Sequence, residues 1–358
     1  MKWQIRMALA VAMLAAAAAG WFARPLLTQP IAPETAAAPV NATGVVTPVP
    51  DAAAQEHVAD ATRAVAPVVT PASDVTTPAV EATSFGTPVA IAAGLSVPHG
   101  AIALDETHAY VVDRSEGRIL KIPRSGGALT VLASAEVGAT GAAVDATWVY
   151  FAGPKIKRVP KAGGAVSIVT DMGGGHIAID GERVYIETGE ELWSAPKSGG
   201  AAARFAGAQG SGITSVSADG TNVYWTLWNG VRTADVATRA LRKIAWSEEF
   251  PFAVTTDATN IYWTDGYGGT VRKAPKAGGT PVTLAPATGD PTSIAVDAGW
   301  VYWVSGKEGT VTRVAVSGGT PEVMATGQPR PLSIAVSNGQ VVWTNLGDGS
   351  VMRLDLAR

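Results

Sequence analysis

A short stretch ending in aspartate recurs along this chain and constrains its fold more than any other feature. It reads AIALD to Asp105, GAAVD to Asp145, HIAID to Asp180, SVSAD to Asp219, AVTTD to Asp257 and SIAVD to Asp297, with a last copy, SIAVS, ending at Ser337. The interval of about 39 residues falls in the range of propellers and solenoids. Shortly after each aspartate comes a tyrosine: Tyr110, Tyr150, Tyr185, Tyr224, Tyr262 and Tyr302 share one position. The next position holds Phe151, Trp225, Trp263, Trp303 and Trp343. An aromatic at one place in every unit is first a packing residue between units, and a ligand contact only rarely.

A third strand follows in each unit, short and often basic (ILKIP, IKRVP, LWSAP, VRKAP, VTRVA, VMRLD), with VRTAD in the fourth unit. Paired glycines, as in PKAGG, then supply a tight turn. The fourth strand opens with proline in TPVTLA, Thr280 to Ala285. Proline cannot donate to a hydrogen-bond ladder, so this strand belongs at an outer edge. Seven units of four strands with no intervening helix predict an all-β fold, a seven-bladed β-propeller with four-stranded blades. The seventh unit stops at Arg358 after three strands, while Thr87 to Ala92 (TPVAIA) matches the missing fourth. The last blade is therefore expected to be closed by an N-terminal strand.

Three regions follow. Residues 1–25 carry Lys2 and Arg6 ahead of an apolar run from Met7 to Ala23, and read as a signal peptide or N-terminal membrane anchor. Residues 26–85, rich in Ala, Pro and Thr, read as a disordered linker, and residues 86–358 as the propeller. Export is the expectation: a periplasmic or cell-surface protein, anchored or secreted, touching a membrane only through its N-terminal segment.

Composition removes several classes of function. With no cysteine there is no disulfide, thiolate metal site or cysteine nucleophile. A net charge of −3 without a basic stripe gives no reason to expect nucleic acid. The four histidines are scattered, and no P-loop, Gly-x-Ser-x-Gly or His-Glu-x-x-His occurs. Neither metal nor cofactor is expected, and the protein is expected to be a monomer.

Tyr262-Trp263-Thr264-Asp265 spells the YWTD motif, with Tyr224-Trp225-Thr226 and Val342-Trp343-Thr344 as near matches. Over roughly residues 86–358 the chain resembles the low-density-lipoprotein-receptor-type propellers and the broader NHL-like and YWTD-like bacterial group. It departs from the receptor family in blade number and lacks cysteine-rich modules. The repeats also resemble virginiamycin-lyase-like propellers, and that resemblance implies a histidine with acidic partners and a metal.

Two places could carry function. Counting back from the marker aspartate, alternate positions should face the central channel, and they hold mostly Ala, Gly, Ser and Thr; the exceptions are His176 and His99. The loops between second and third strands share a face with those linking blades. That face is acidic and gathers Trp228, Trp246, Phe250, Phe252 and Tyr267 around blades 4 and 5. Trp228, Asp265, Tyr267, Trp246, Glu248 and Glu249 are the candidate ligand-binding residues, because exposed aromatics among carboxylates suit a protein, a carbohydrate or a cationic small molecule. The favoured reading is a non-catalytic propeller acting as a protein- or ligand-binding scaffold through this face. The alternative is a hydrolase or lyase at the channel mouth, with His99 or His176 as general base. It requires a carboxylate within hydrogen-bond reach.

Overall fold

The computed structural model describes residues 85–356, apart from residues 208, 247, 287 and 288 and the side chain of His99. The expected signal or anchor and the linker lie outside the described residues. Among the described residues no helix is long and apolar enough to cross a membrane.

Strands β1 to β28, numbered in chain order, form seven four-stranded antiparallel sheets, arranged as the blades of a propeller. Six blades are continuous in sequence. The seventh combines β26 (Pro331–Ser337), β27 (Gln340–Asn345) and β28 (Ser350–Asp355) with β1 (Val89–Ala92), in the order β1-β28-β27-β26. The N-terminal strand thus fills the outer position of the last blade, as its match to TPVTLA requires. Pro281 immediately precedes β21 (Val282–Ala285), the outer strand of its own blade.

Each joint between blades is an apolar cluster built from two consecutive repeats. Tyr110 packs with Phe151, Tyr185 with Trp225, Tyr224 with Trp263, Tyr262 with Trp303 and Tyr302 with Trp343. The tyrosine of one blade therefore meets the following blade's large residue. At the ring closure no aromatic pair is present; Ile91, Leu95, Val111, Leu120, Val342 and Val351 form an aliphatic joint.

The marker aspartate does more than close a hairpin. Asp145 Oδ1 accepts the Thr147 and Trp148 N–H groups at 2.9 and 2.8 Å, the turn bond that its sequence suggests. Its Oδ2 accepts the Tyr150 hydroxyl at 3.0 Å and pairs with Lys197 of the next blade at 2.7 Å. Asp105 with Lys161 and Asp219 with Lys276 repeat this latch, both at 2.6 Å. Where the seventh marker is a serine, Arg124 takes the lysine's place and donates to the Ser337 hydroxyl and carbonyl at 2.8 and 2.6 Å.

Burial alone would raise the Asp145 pKa. The Lys197 ammonium, the backbone N–H groups of Trp148 and Thr147 and the Tyr150 hydroxyl outweigh it and hold the pKa at about 2. A folded value below the ordinary one, about 3.9, contributes stability at neutral pH that is lost as pH falls from about 4 to about 2. Lys197→Met is accordingly expected to move the acid-unfolding midpoint, followed by tryptophan fluorescence, to higher pH. An unchanged midpoint would show that the latch carries no coupling.

Candidate catalytic site at the channel mouth

The residue that ends the second strand of a blade faces the loop arriving from the previous blade. Asp113, Asp265, Ser305 and Asn345, each three residues after the repeated second-strand tyrosine or its equivalent, occupy this position, and all are buried. In blade 1, Asp113 accepts the Val97 and Ser96 N–H groups at 3.1 and 3.3 Å. In blade 5, Asp265 accepts those of Glu249 and Gly268 at 3.1 and 3.2 Å. The position is a loop cap in both.

Blade 3 differs because its second strand ends one residue earlier, on Glu187 at the position that Thr264 holds in blade 5, and the glutamate faces a histidine. Glu187 closes β11 (Arg183–Glu187), and His176 immediately precedes β10 (Ile177–Ile179), its antiparallel neighbour. Glu187 N–H donates to the His176 carbonyl at 3.0 Å, while Gly175 N–H donates to the Glu187 carbonyl at 3.1 Å. Two residues thus oppose one, a bulge that turns the histidine away from the regular pleat. The His176 N–H, freed from the ladder, donates to Glu187 Oε2 at 3.2 Å, and the imidazole Nδ1 stands 3.4 Å from the same oxygen. The Gly189 N–H binds Glu187 Oε1. The His176 side chain is 45% exposed and that of Glu187 only 10%, so the imidazole reaches solvent from a carboxylate floor.

Burial would push the Glu187 pKa up, but its bonds to the His176 ring and to the Gly189 and His176 N–H groups prevail and hold it below its usual value. Glu187 therefore remains ionised wherever the imidazole is neutral. A carboxylate facing Nδ1 favours the proton there, which leaves the Nε2 lone pair outward as a base and stabilises the imidazolium that forms.

The approach depends on three consecutive glycines. A Cβ on Gly174 would lie 2.4 Å from the Glu187 carbonyl oxygen, and one on Gly175 2.7 Å from Glu187 Oε2. The first clash is with backbone. The second is with a movable side-chain end, so Gly175→Ala should push the carboxylate off the imidazole and leave the blade folded. The expected result is a roughly tenfold to hundredfold fall in turnover, the scale of a small misplacement, with an unchanged melting temperature. Equal turnover would mean that the contact does not matter.

The other candidates separate. His99 pairs with Val112 in the inner hairpin of blade 1, at the same rim. Trp228 and Tyr267 come together through Phe250, with ring centroids 6.2 and 5.0 Å from it. Asp265 lies beneath them as a cap, beside an exposed Glu249. Glu248 is buried, binding Arg272 Nη1 at 2.6 Å and Trp263 Nε1 at 3.3 Å. Trp246 stays exposed and is flanked by Lys243 and Arg232, 4.6 and 5.5 Å from its ring centroid. Glu187 lies at the end of a strand rather than in a loop, where a partner carboxylate was expected; in RVYIE it sits where YWTD has its threonine, a position whose side chain turns to the inner strand.

A divalent metal does not fit the described residues. Among them no group of three or more histidines and carboxylates could hold one, and both Glu187 oxygens already accept backbone N–H groups.

No protein-family model matches the chain, and no curated protein matches it. Solved structures do. Virginiamycin B lyase from Staphylococcus aureus aligns with a TM-score of 0.66 at 13% identity, over 76% of this chain and 99% of that one. A catalytically inactive histidine-to-alanine variant of that lyase, solved with quinupristin, aligns at 0.65 and 13% over the same shares. The nidogen–laminin complex aligns at 0.50 and 20%, over 59% of this chain and 89% of that one. The fold-level likeness to YWTD-type propellers is therefore real.

The favoured expectation of a non-catalytic binding scaffold is corrected here. The solved structures that align over 76% of this chain include lyases, the class that the alternative expectation named. The physical reason is local: His176 is not the isolated channel filler that the scaffold reading assumed, because Glu187 stands within reach of its ring.

Proposed function

We propose that the protein is a lyase or hydrolase acting at the channel mouth, with His176 as general base and Glu187 as the group that orients and charges it. The supporting observation is the 3.4 Å approach of Nδ1 to a buried, ionised carboxylate while the rest of the ring is open to solvent. His99, on the same rim, is the second candidate base. In a lyase the imidazole takes a proton from carbon, the C–H electron pair becomes a new double bond, and the leaving group departs with its own bonding pair. In a hydrolase the imidazole takes the proton from water instead, the hydroxide adds to the carbonyl carbon, and the tetrahedral intermediate collapses as the C–O or C–N bond breaks, the leaving oxygen or nitrogen taking the proton back from the imidazolium. Likeness to lyases over most of the ring favours the first. The basic and apolar N-terminus supports an exported location for this activity.

The test is a mass-spectrometric screen of lactones, cyclic depsipeptides including quinupristin, and their amide analogues, run in oxygen-18 water. Elimination opens a ring without change in mass and adds an absorbing double bond; hydrolysis incorporates the labelled oxygen. Turnover that disappears in His176→Ala supports the proposal. Turnover retained in that variant would overturn it.

A further inference from the structure

The same rim carries a second feature, on blades 4 and 5, that the histidine chemistry does not use. Phe250 is the hub of an aromatic group: its ring centroid is 6.2 Å from Trp228, 6.2 Å from Phe252 and 5.0 Å from Tyr267, with interplanar angles of 31°, 36° and 44°. Tyr267 is 56% exposed and Phe252 37% exposed, so the group is open to solvent. Phe250 has a φ of 75°, a conformation that a bulky side chain rarely adopts. Its carbonyl accepts the Gly266 N–H at 3.0 Å, and the Glu249 carbonyl accepts that of Tyr267 at 3.1 Å, so the two loops are joined.

Carboxylates border the aromatics without matching cations. The Glu249 backbone N–H donates to Asp265 Oδ2 at 3.1 Å at the base of the Tyr267 loop, and Asp290 Oδ1 lies 3.7 Å from where a Cβ on Gly266 would stand. None of these three forms an ion pair among the described residues, whereas the nearby Arg272 is held by Glu248. Lys307 is the other cation near Asp290, and Glu308 adds a further negative charge there. Burial first, and then the charge of a neighbouring glutamate, raises the pKa values of both Asp265 and Asp290. A bound cation would relieve both.

We propose that Trp228, Phe250, Phe252 and Tyr267 form a shelf for an alkylated ammonium group of the substrate, with Glu249, Asp265 and Asp290 supplying the opposing charge. Charge complementarity selects this occupant. Aromatic faces attract ammonium through the ring quadrupole, and an uncompensated acidic border adds to that attraction. A neutral sugar would stack on the rings and donate hydroxyl hydrogen bonds to the carboxylates, but would leave their negative charge unneutralised. The identification as a substrate group rests on the catalytic reading of the mouth; the binding itself does not.

The experiment is calorimetric titration of the full chain with choline and with its neutral carbon isostere, 3,3-dimethyl-1-butanol. Choline is expected to bind at least roughly tenfold more tightly than the isostere, the scale of a partly desolvated cation–π contact. Tyr267→Ala, an exposed and fold-safe change, should weaken choline by a similar factor. Glu249→Gln should weaken it several-fold and reduce its salt dependence. Equal affinity for the two probes, absence of choline binding, or an unaffected Tyr267→Ala would each overturn the shelf. Choline binding that survives His176→Ala would uphold the shelf whether or not that variant retains turnover, so the two proposals fail separately.

Discussion

Deletion of residues 86–92 is expected to abolish the cooperative unfolding transition of the ring. The segment contains β1, which pairs with β28 through Val89 with Arg353, Ala90 with Met352 and Ala92 with Val351. Its Ile91 is 4% exposed in the closing joint, and Leu95 just beyond donates its N–H to the Gly349 carbonyl at 3.0 Å. Burying a side chain such as Ile91 contributes about 1.5–3 kcal/mol, but the larger loss is topological. Without β1 the last blade presents the unpaired edge of β28 to solvent. The joint affected is also one of two that lack the repeated aromatic pair, the other being that between blades 2 and 3, where Tyr150 meets Ile186. Chemical denaturation followed by tryptophan fluorescence checks this. A deletion variant with the midpoint and slope of the intact chain would show that the ring closes without its N-terminal strand.

His176→Ala is expected to reduce turnover by about 10²–10⁴-fold, the usual contribution of a positioned general base, while the melting temperature stays within a degree or two. The side chain is nearly half exposed and packs in no core cluster, so little stability depends on it. Glu187→Gln should cost less. The amide oxygen can still accept a hydrogen bond from Nδ1–H, but it cannot stabilise the imidazolium by charge. The pH dependence follows from the same arrangement. Glu187 is held below its usual value, so it keeps its charge to lower pH than an ordinary glutamate, and the acidic limb of the rate profile should move to higher pH in Gly175→Ala, which disturbs the bonds that hold it there.

Much of the ring was legible in the sequence because its signals are local and repeated. The interval from marker aspartate to tyrosine fixes an inner hairpin, and the proline before Val282 fixes an edge. The match of Thr87–Ala92 to TPVTLA fixes the closure. The latch lysines were legible only as the second residue of the PKAGG and PKSGG turns, since each latch joins residues from different blades, as Lys276 and Asp219 do. The channel-mouth pair was half legible. His176 stood out as the one large polar residue among alanines and serines, but Glu187 looked like an ordinary strand end. The bulge at Gly175 and His176 that brings the two together arises from backbone geometry, which composition does not report. Among the aromatics, Trp228 and Tyr267 were grouped correctly in space. Phe250 became their hub only through its positive φ, and Trp246 was drawn away by Arg232 and Lys243.

The central claim is that His176 and Glu187 act as one unit, and a double-mutant cycle on turnover tests it most directly. Rates are compared for the intact protein, His176→Ala, Glu187→Gln and the double variant. If the carboxylate works only through the imidazole, the double variant will be about as slow as His176→Ala alone. Losses that multiply, or a His176→Ala protein that turns over at the rate of the intact chain, would contradict the account.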